Sequence, residues 1–219
     1  MASPIYLIES NNRQDLAATF MRFQEYYESP EFKGRIFSVD DFAHWYALKY
    51  GSFTYAKDWY GFNIPSSVIE PFRHGWFDPL TSLEKNFLDI CKDARGDFYV
   101  IGVTPSAEYF TETVKHEFVH GAFHINRSYR DEVISCIKEY KIKTVNKALH
   151  KMGYHPDAFE DESNAYILVE PETIGEFATK KDTEKLRNRL ESIFKRYFGF
   201  SVLEVGVQSL VARTEHVLI

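Results

Sequence analysis

An α+β fold in which helices dominate around one small sheet is what this sequence predicts, on three observations. Apolar residues recur at three- and four-residue spacing over several stretches, the period of amphipathic helices. One short run, DFYVIGV at 97–103, is rich in β-branched and aromatic residues and bounded by turn formers, as a strand should be. Hydrophobic residues make up 44% of the 219 and charged residues 26%, enough apolar material for a core without disulfide staples.

In chain order, residues 5–8 are an apolar stretch expected to form a short strand. Leu16, Phe20, Phe23 and Tyr27 recur at helical spacing, which predicts a helix over 15–27, broken by Ser29-Pro30. Ser38 is a candidate N-cap and Gly51 a stop for a second helix over 38–50. Residues 52–80 are crowded with aromatic rings, glycine and proline and are expected to be irregular, packed by their own rings. Helix resumes over 82–93, and Arg95-Gly96 turns the chain into the strand at 97–103. Thr104-Pro105 then offers an N-cap and a proline at the first position of the next helix. One long helix is expected over 129–152, stopped by Gly153-Tyr154-His155-Pro156. Asp157 opens another, with Glu160 at the third position of a capping box and an end near Pro171. Residues 180–198 place Leu186, Leu190, Ile193, Phe194 and Tyr197 on one stripe. Residues 202–207 and the C-terminal stretch are expected to be strands. No repeat or Gly/Ser linker divides the chain. An aromatic-rich helical region, 1–96, precedes a second region, 97–219, and the two can form one continuous domain.

The formal net charge of −6 argues against nucleic acid as a partner and against an anionic membrane surface. Lys180, Lys181, Lys185, Arg187, Arg189, Lys195 and Arg196 give one late helix a basic character, but Glu184 and Glu191 interleave with them, as on a solvated face. The N-terminal stretch lacks a basic region followed by a long apolar run, and no segment is apolar for long enough to span a bilayer, so a cytoplasmic location is expected. Cys91 and Cys136 form no CxxC pair and sit among apolar residues, where buried reduced thiols are expected. With 19 Phe and 14 Tyr, most rings must be core, and any left exposed are candidates for a binding surface.

His116-Glu117-Phe118-Val119-His120 is an HExxH motif on a segment expected to be helical. Residues four apart lie on the same face one turn apart, so both imidazoles can reach one zinc ion, and Glu117 beside them can take a proton from water held by the metal. A catalytic zinc usually has a third protein ligand. His124 lies about 12 Å along a straight helix from His116, too far to share an ion. The extended pattern HExxHxxGxxH fails as well, because Phe123 and Asn126 occupy its glycine and last histidine positions. Glu160, Asp161 and Glu162 in the next acidic segment are separated by helical geometry. At about 100° per residue, Ala158, Phe159, Ala165, Tyr166 and Val169 all fall within about 60° of Glu162, whereas Glu160 points about 160° away. A carboxylate in the middle of an apolar stripe is costly unless it is paired or binds a metal. Glu162 is therefore the expected third ligand, with a salt bridge as the plainer alternative. Small Ala165 would let the two helices approach closely. Asp161, at the stripe's edge, is placed to hydrogen-bond a ligand histidine.

His116-Glu117-x-x-His120, followed about forty residues later by Glu162 in EDESNAYI, resembles the gluzincin branch of the zincin metallopeptidases. The resemblance covers roughly residues 97–169, and the longer glutamate-helix motif of thermolysin-type members is absent. It implies a zincin-like fold, Zn2+ held by two histidines and a glutamate from a later helix, and hydrolysis of peptide bonds in a protein or peptide substrate. It also implies that the strand before the metal helix, here 98–103, lies at the sheet edge and receives the substrate as a further strand. Tyr166, His155 and Tyr129 are the candidate donors to the oxyanion of the transition state. The other function class is a zincin-fold binding module without peptidase activity. The C-terminal run 216–219 is a candidate for an autoinhibitory tail in the cleft.

Overall fold

The computed structural model describes residues 4–105, 109–140, 142–174 and 180–219, with backbone only for residues 180–182. Lys180 and Lys181 of the basic cluster thus lie outside the described side chains. Four strands form one mixed sheet: β1 (Ile5–Glu9), β2 (Gly61–Pro65), β3 (Tyr99–Val103) and β4 (Glu215–Leu218), in the order β2-β3-β1-β4. β1 runs parallel to both β3 and β4, and β2 runs antiparallel to β3. The described helices are α1 (Arg13–Glu28), α2 (Val39–Tyr50), α3 (Tyr55–Asp58), α4 (Glu70–Arg73), α5 (Ser82–Ile90), α6 (Phe110–Ile125), α7 (Arg127–Tyr140), α8 (Lys143–Met152), α9 (Phe159–Val169), α10 (Lys180–Phe198) and α11 (Val207–Val211). The fold is α+β and rich in helix. None of the described helices is long and apolar enough to cross a membrane.

The strand β3, YVIGV, is buried along its whole length because both faces of the sheet are covered. Tyr99, Ile101 and Val103 belong to one core, shared with α6, α7, α9 and α10. Val100 faces the other, built on rings that include Phe20 and Phe23 of α1, Phe62 of β2, Phe72, Phe77 and Phe87. Most of the phenylalanines thus go into the core, as composition required. Cys91 and Cys136 are buried and free.

Local capping follows the sequence in the first half. Asn12 caps α1 by accepting from the Gln14 and Asp15 amides. Ser38 and Asp41 form a capping box at α2, which ends on Gly51 in the left-handed conformation. Thr81 and Glu84 cap α5 in the same way. Glu84 also receives Arg22 in a fully buried pair, Nε to Oε1 at 2.6 Å and Nη2 to Oε2 at 2.5 Å, which ties α1 to α5.

Several expectations are corrected. β3 is not an edge strand; it lies between β1 and β2, and the edge belongs to β2, hidden inside the stretch expected to be irregular. The expected helix over 129–152 is two helices. Ile142 leaves the helical region (ψ 50°), and the turn lets Val145, Ala148 and Leu149 of α8 bury in the same core as Val133 and Ile137 of α7. The helix that carries HEFVH begins at Phe110, not at Thr104-Pro105; Thr104 is buried just beyond β3, and residues 106–108 lie outside the described residues. Asp157 opens no α-helix. Pro156–Ala158 is a single 3₁₀ turn capped by His155, whose Nδ1 accepts from the Asp157 amide at 3.3 Å, and α9 starts at Phe159. Residues 202–207 form no strand but lead into α11. The C-terminal run is β4 on the edge of the sheet opposite β2, so it does not fill the cleft beside β2.

Candidate metal centre

The helix α6 lies close against the sheet because residue 121 is glycine. A Cβ there would stand 2.8 Å from Ile5 Cδ1 and 3.3 Å from Tyr99 Cδ1. This seating buries His116, Glu117 and His120 at 8%, 7% and 1% exposure. The helix α9 packs across α6 with Ala165 fully buried, and Glu162 arrives at 3% exposure. One ligand atom from each of His116, His120 and Glu162 lies within 4.8 Å of the others. His120 Nε2 is 3.6 Å from Glu162 Oε1, and His116 Nε2 is 3.9 Å from Glu162 Oε2. Donors held about 2 Å from a tetrahedral ion stand about 3.3 Å apart, so a small contraction closes the site. His120 Nε2 and Glu162 Oε2 are buried with no hydrogen-bond partner, the kind of orphan that native proteins rarely tolerate without an ion or water. The group can hold a metal ion.

Electrostatics fit this geometry. Burial drives the His116 ring pKa well below its ordinary value, leaving it neutral and able to donate a lone pair. For His120 burial works in the same direction but is outweighed by Asp161, Glu162 and Glu117, which hold its pKa well above the usual imidazole range. Burial raises the Glu162 carboxyl well above normal, against the pull of His120. Burial also pushes Glu117 up to about 7, opposed by His120 and the Asn63 side chain. A divalent cation among these groups would favour the ionised carboxylates and displace the proton from His120.

Asp161 stands where the stripe geometry put it, with Oδ1 2.9 Å from His120 Nδ1, although the approach falls outside hydrogen-bond geometry. Glu117 lies against β2. A Cβ at Gly61 would come within 2.6 Å of Glu117 Oε1 and 2.7 Å of Thr113 Cγ2, so only glycine lets the edge strand approach this carboxylate. Beside it, Asn63 accepts from the Tyr99 hydroxyl at 2.5 Å, and its outward amide donates to Gln24 Oε1 at 2.9 Å. These residues open onto a cleft of about 590 Å³ between β2 and α1 on one side and α6 and α9 on the other.

Of the three candidate oxyanion donors, only Tyr166 lines the cleft. Its ring packs edge-on to His116 at 4.6 Å between centroids, and its hydroxyl is 3.0 Å from that of Tyr154. Burial and Glu162 keep that hydroxyl protonated well beyond the ordinary tyrosine range. Tyr129 is fully buried between α7, α9 and α10, with its hydroxyl bonded to Asn164, so it cannot reach the cleft. His155 is spent on the 3₁₀ turn and on Asp157, 3.4 Å away, outside the cleft. His124 packs on Tyr99. Glu160 faces a different depression, as its helical angle required.

Sequence reasoning missed Gln24, Glu28, Tyr154 and Glu170. Gln24 and Glu28 follow Phe20 at four-residue steps on α1, so they too are polar residues on an apolar stripe, the signal that singled out Glu162. Burial pushes Glu28 up to about 7, with Gln24 Nε2 donating to it at 2.5 Å. Glu170 Oε2 lies 3.8 Å from His116 Nδ1, and no periodicity marks it because it follows the end of α9. Comparison with protein-family models, curated proteins and solved structures gave no match for this chain.

Proposed function

We propose that the chain is a zinc-dependent peptidase of the gluzincin kind, with a zincin-like arrangement of α6, α9 and the sheet. The observation that carries this reading is the convergence of His116, His120 and Glu162 within 4.8 Å, with a further buried carboxylate, Glu117, on the same cleft. Two imidazoles and a carboxylate also suit ferrous iron. Glu117 favours zinc hydrolysis, because a proton acceptor beside the ligands is what activation of water needs. When bound, zinc acidifies water and polarises a carbonyl. Glu117 takes the proton as water attacks and passes it to the leaving amine. Tyr166 is the donor toward the developing oxyanion, steadied by Tyr154. Asp161, with Oδ1 2.9 Å from His120 Nδ1, would orient the His120 ring once that approach closes into a hydrogen bond.

The test is metal analysis of the purified protein together with hydrolysis of an unstructured protein. Stoichiometric zinc and cleavage that Glu117→Gln abolishes with zinc retained are expected. Bound zinc without cleavage would favour a binding module, and iron in place of zinc would overturn the assignment.

A further inference from the structure

Resting on that reading, we propose that the cleft selects peptides with a lysine or arginine side chain beside the bond that is cut. Besides Glu117 and Glu162, five carboxylates line it: Glu28, Asp58, Glu112, Glu170 and Glu172. Among the described residues no lysine or arginine does. Asp58 is held by the Tyr46 and Thr54 hydroxyls at 2.5 and 2.6 Å. Glu112 and Glu172 are exposed and are not among the three residues that can hold an ion. A cleft of one sign between low-dielectric walls concentrates ligands of the other.

Two further observations point to a cationic ligand. Glu117, only 7% exposed, keeps Oε2 without a partner on this cleft. Trp59 and Tyr109 leave 41% and 56% of their surface exposed along it, and aromatic faces attract ammonium and guanidinium groups. The chain's own cations already use neighbouring rings in this way. Arg13 sits 4.0 Å over Tyr60, held from behind by the Lys57 and Trp59 carbonyls. Lys49 lies 4.6 Å over Trp45 in an adjoining pocket that shares Glu28, Trp59 and Tyr154 with the cleft.

Zinc-loaded full-length protein is given an unfolded protein mixture, and the cut sites are identified by mass spectrometry. Lysine and arginine enriched beside the cut are expected; a flat or acid-rich profile would overturn the proposal. Binding decides independently of catalysis. The unaltered protein is expected to hold a labelled lysine-containing peptide, N-methylated along its backbone against cleavage, about tenfold more tightly than its norleucine counterpart, with the margin shrinking as salt rises. Equal affinities would overturn it. The double variant Glu112→Gln/Glu172→Gln, with metal content retained, is expected to cut the margin to about threefold, and an undiminished margin would count against it. A lysine preference in binding without any cleavage would refute the peptidase reading and uphold only the cleft's selection of cationic side chains.

Discussion

Replacing one carboxylate oxygen of Glu162 by an amide removes a donor from the point where α6 and α9 meet. Glu162→Gln is expected to weaken zinc at least about 100-fold, read by metal content after dialysis against a competing chelator. Glu160→Gln, on another face of the same helix, should leave it unchanged. Loss of metal in the second variant but not the first would refute the ligand assignment. Gly61→Ala probes the neighbouring carboxylate. The added methyl meets Glu117 Oε1 and must push it aside, so kcat/KM should fall about 100-fold with zinc retained. Unchanged hydrolysis would mean that Glu117 adjusts freely. At this scale the convergence of His116, His120 and Glu162 was legible because a buried carboxylate on an apolar stripe announces a partner. Which tyrosine reaches the cleft was not. Tyr129 and Tyr166 are both tyrosines on helices near the motif, and only packing sends one to the core and the other to the cleft.

Among the elements, helices with caps and clear periods could be read directly, such as α2 with Ser38 and Gly51 at its ends. β2 could not. Its sequence, GFNIP, holds three poor strand formers, and only Phe62 and Ile64 give an alternating signal. It is a strand because Phe62 and Ile64 reach the aromatic core and β3 offers an edge to pair with. The break between α7 and α8 was equally invisible, since neither Gly nor Pro marks it and the gain comes from burying α8. The junction of α1 with α5 can be tested through its buried ion pair. Glu84→Gln leaves Arg22, 3% exposed, without its counter-charge and should cost about 3–5 kcal/mol, measured by urea unfolding. A change below about 1 kcal/mol would show that the Phe37, Phe77 and Pro79 carbonyls suffice for the guanidinium.

Over the whole molecule, strands from both halves of the chain share one sheet with a separate core on each face, so the aromatic half builds one wall of the cleft. α1 also carries a titrating group that bears on global stability. Burial pushes the Glu25 carboxyl up to about 6 from the ordinary 4.5. Between those values the folded chain holds a proton that the unfolded chain has released, so this contribution is intact below 4.5 and is lost as pH rises through about 6. Glu25→Gln should therefore raise Tm at pH 7 and leave it nearly unchanged at pH 4; an equal shift at both would exclude titration as the cause. A last consequence concerns the rim strand. Its three outward positions are Gly61, Asn63 and Pro65, and of their potential donors Pro65 has none while that of Asn63 is occupied by Gln24. A second molecule seeking to extend the ladder there meets a template with two of its three donors missing or taken. Gln24→Ala should release the Asn63 donor and promote self-association, visible by light scattering at high concentration, where the parent chain is expected to stay dispersed.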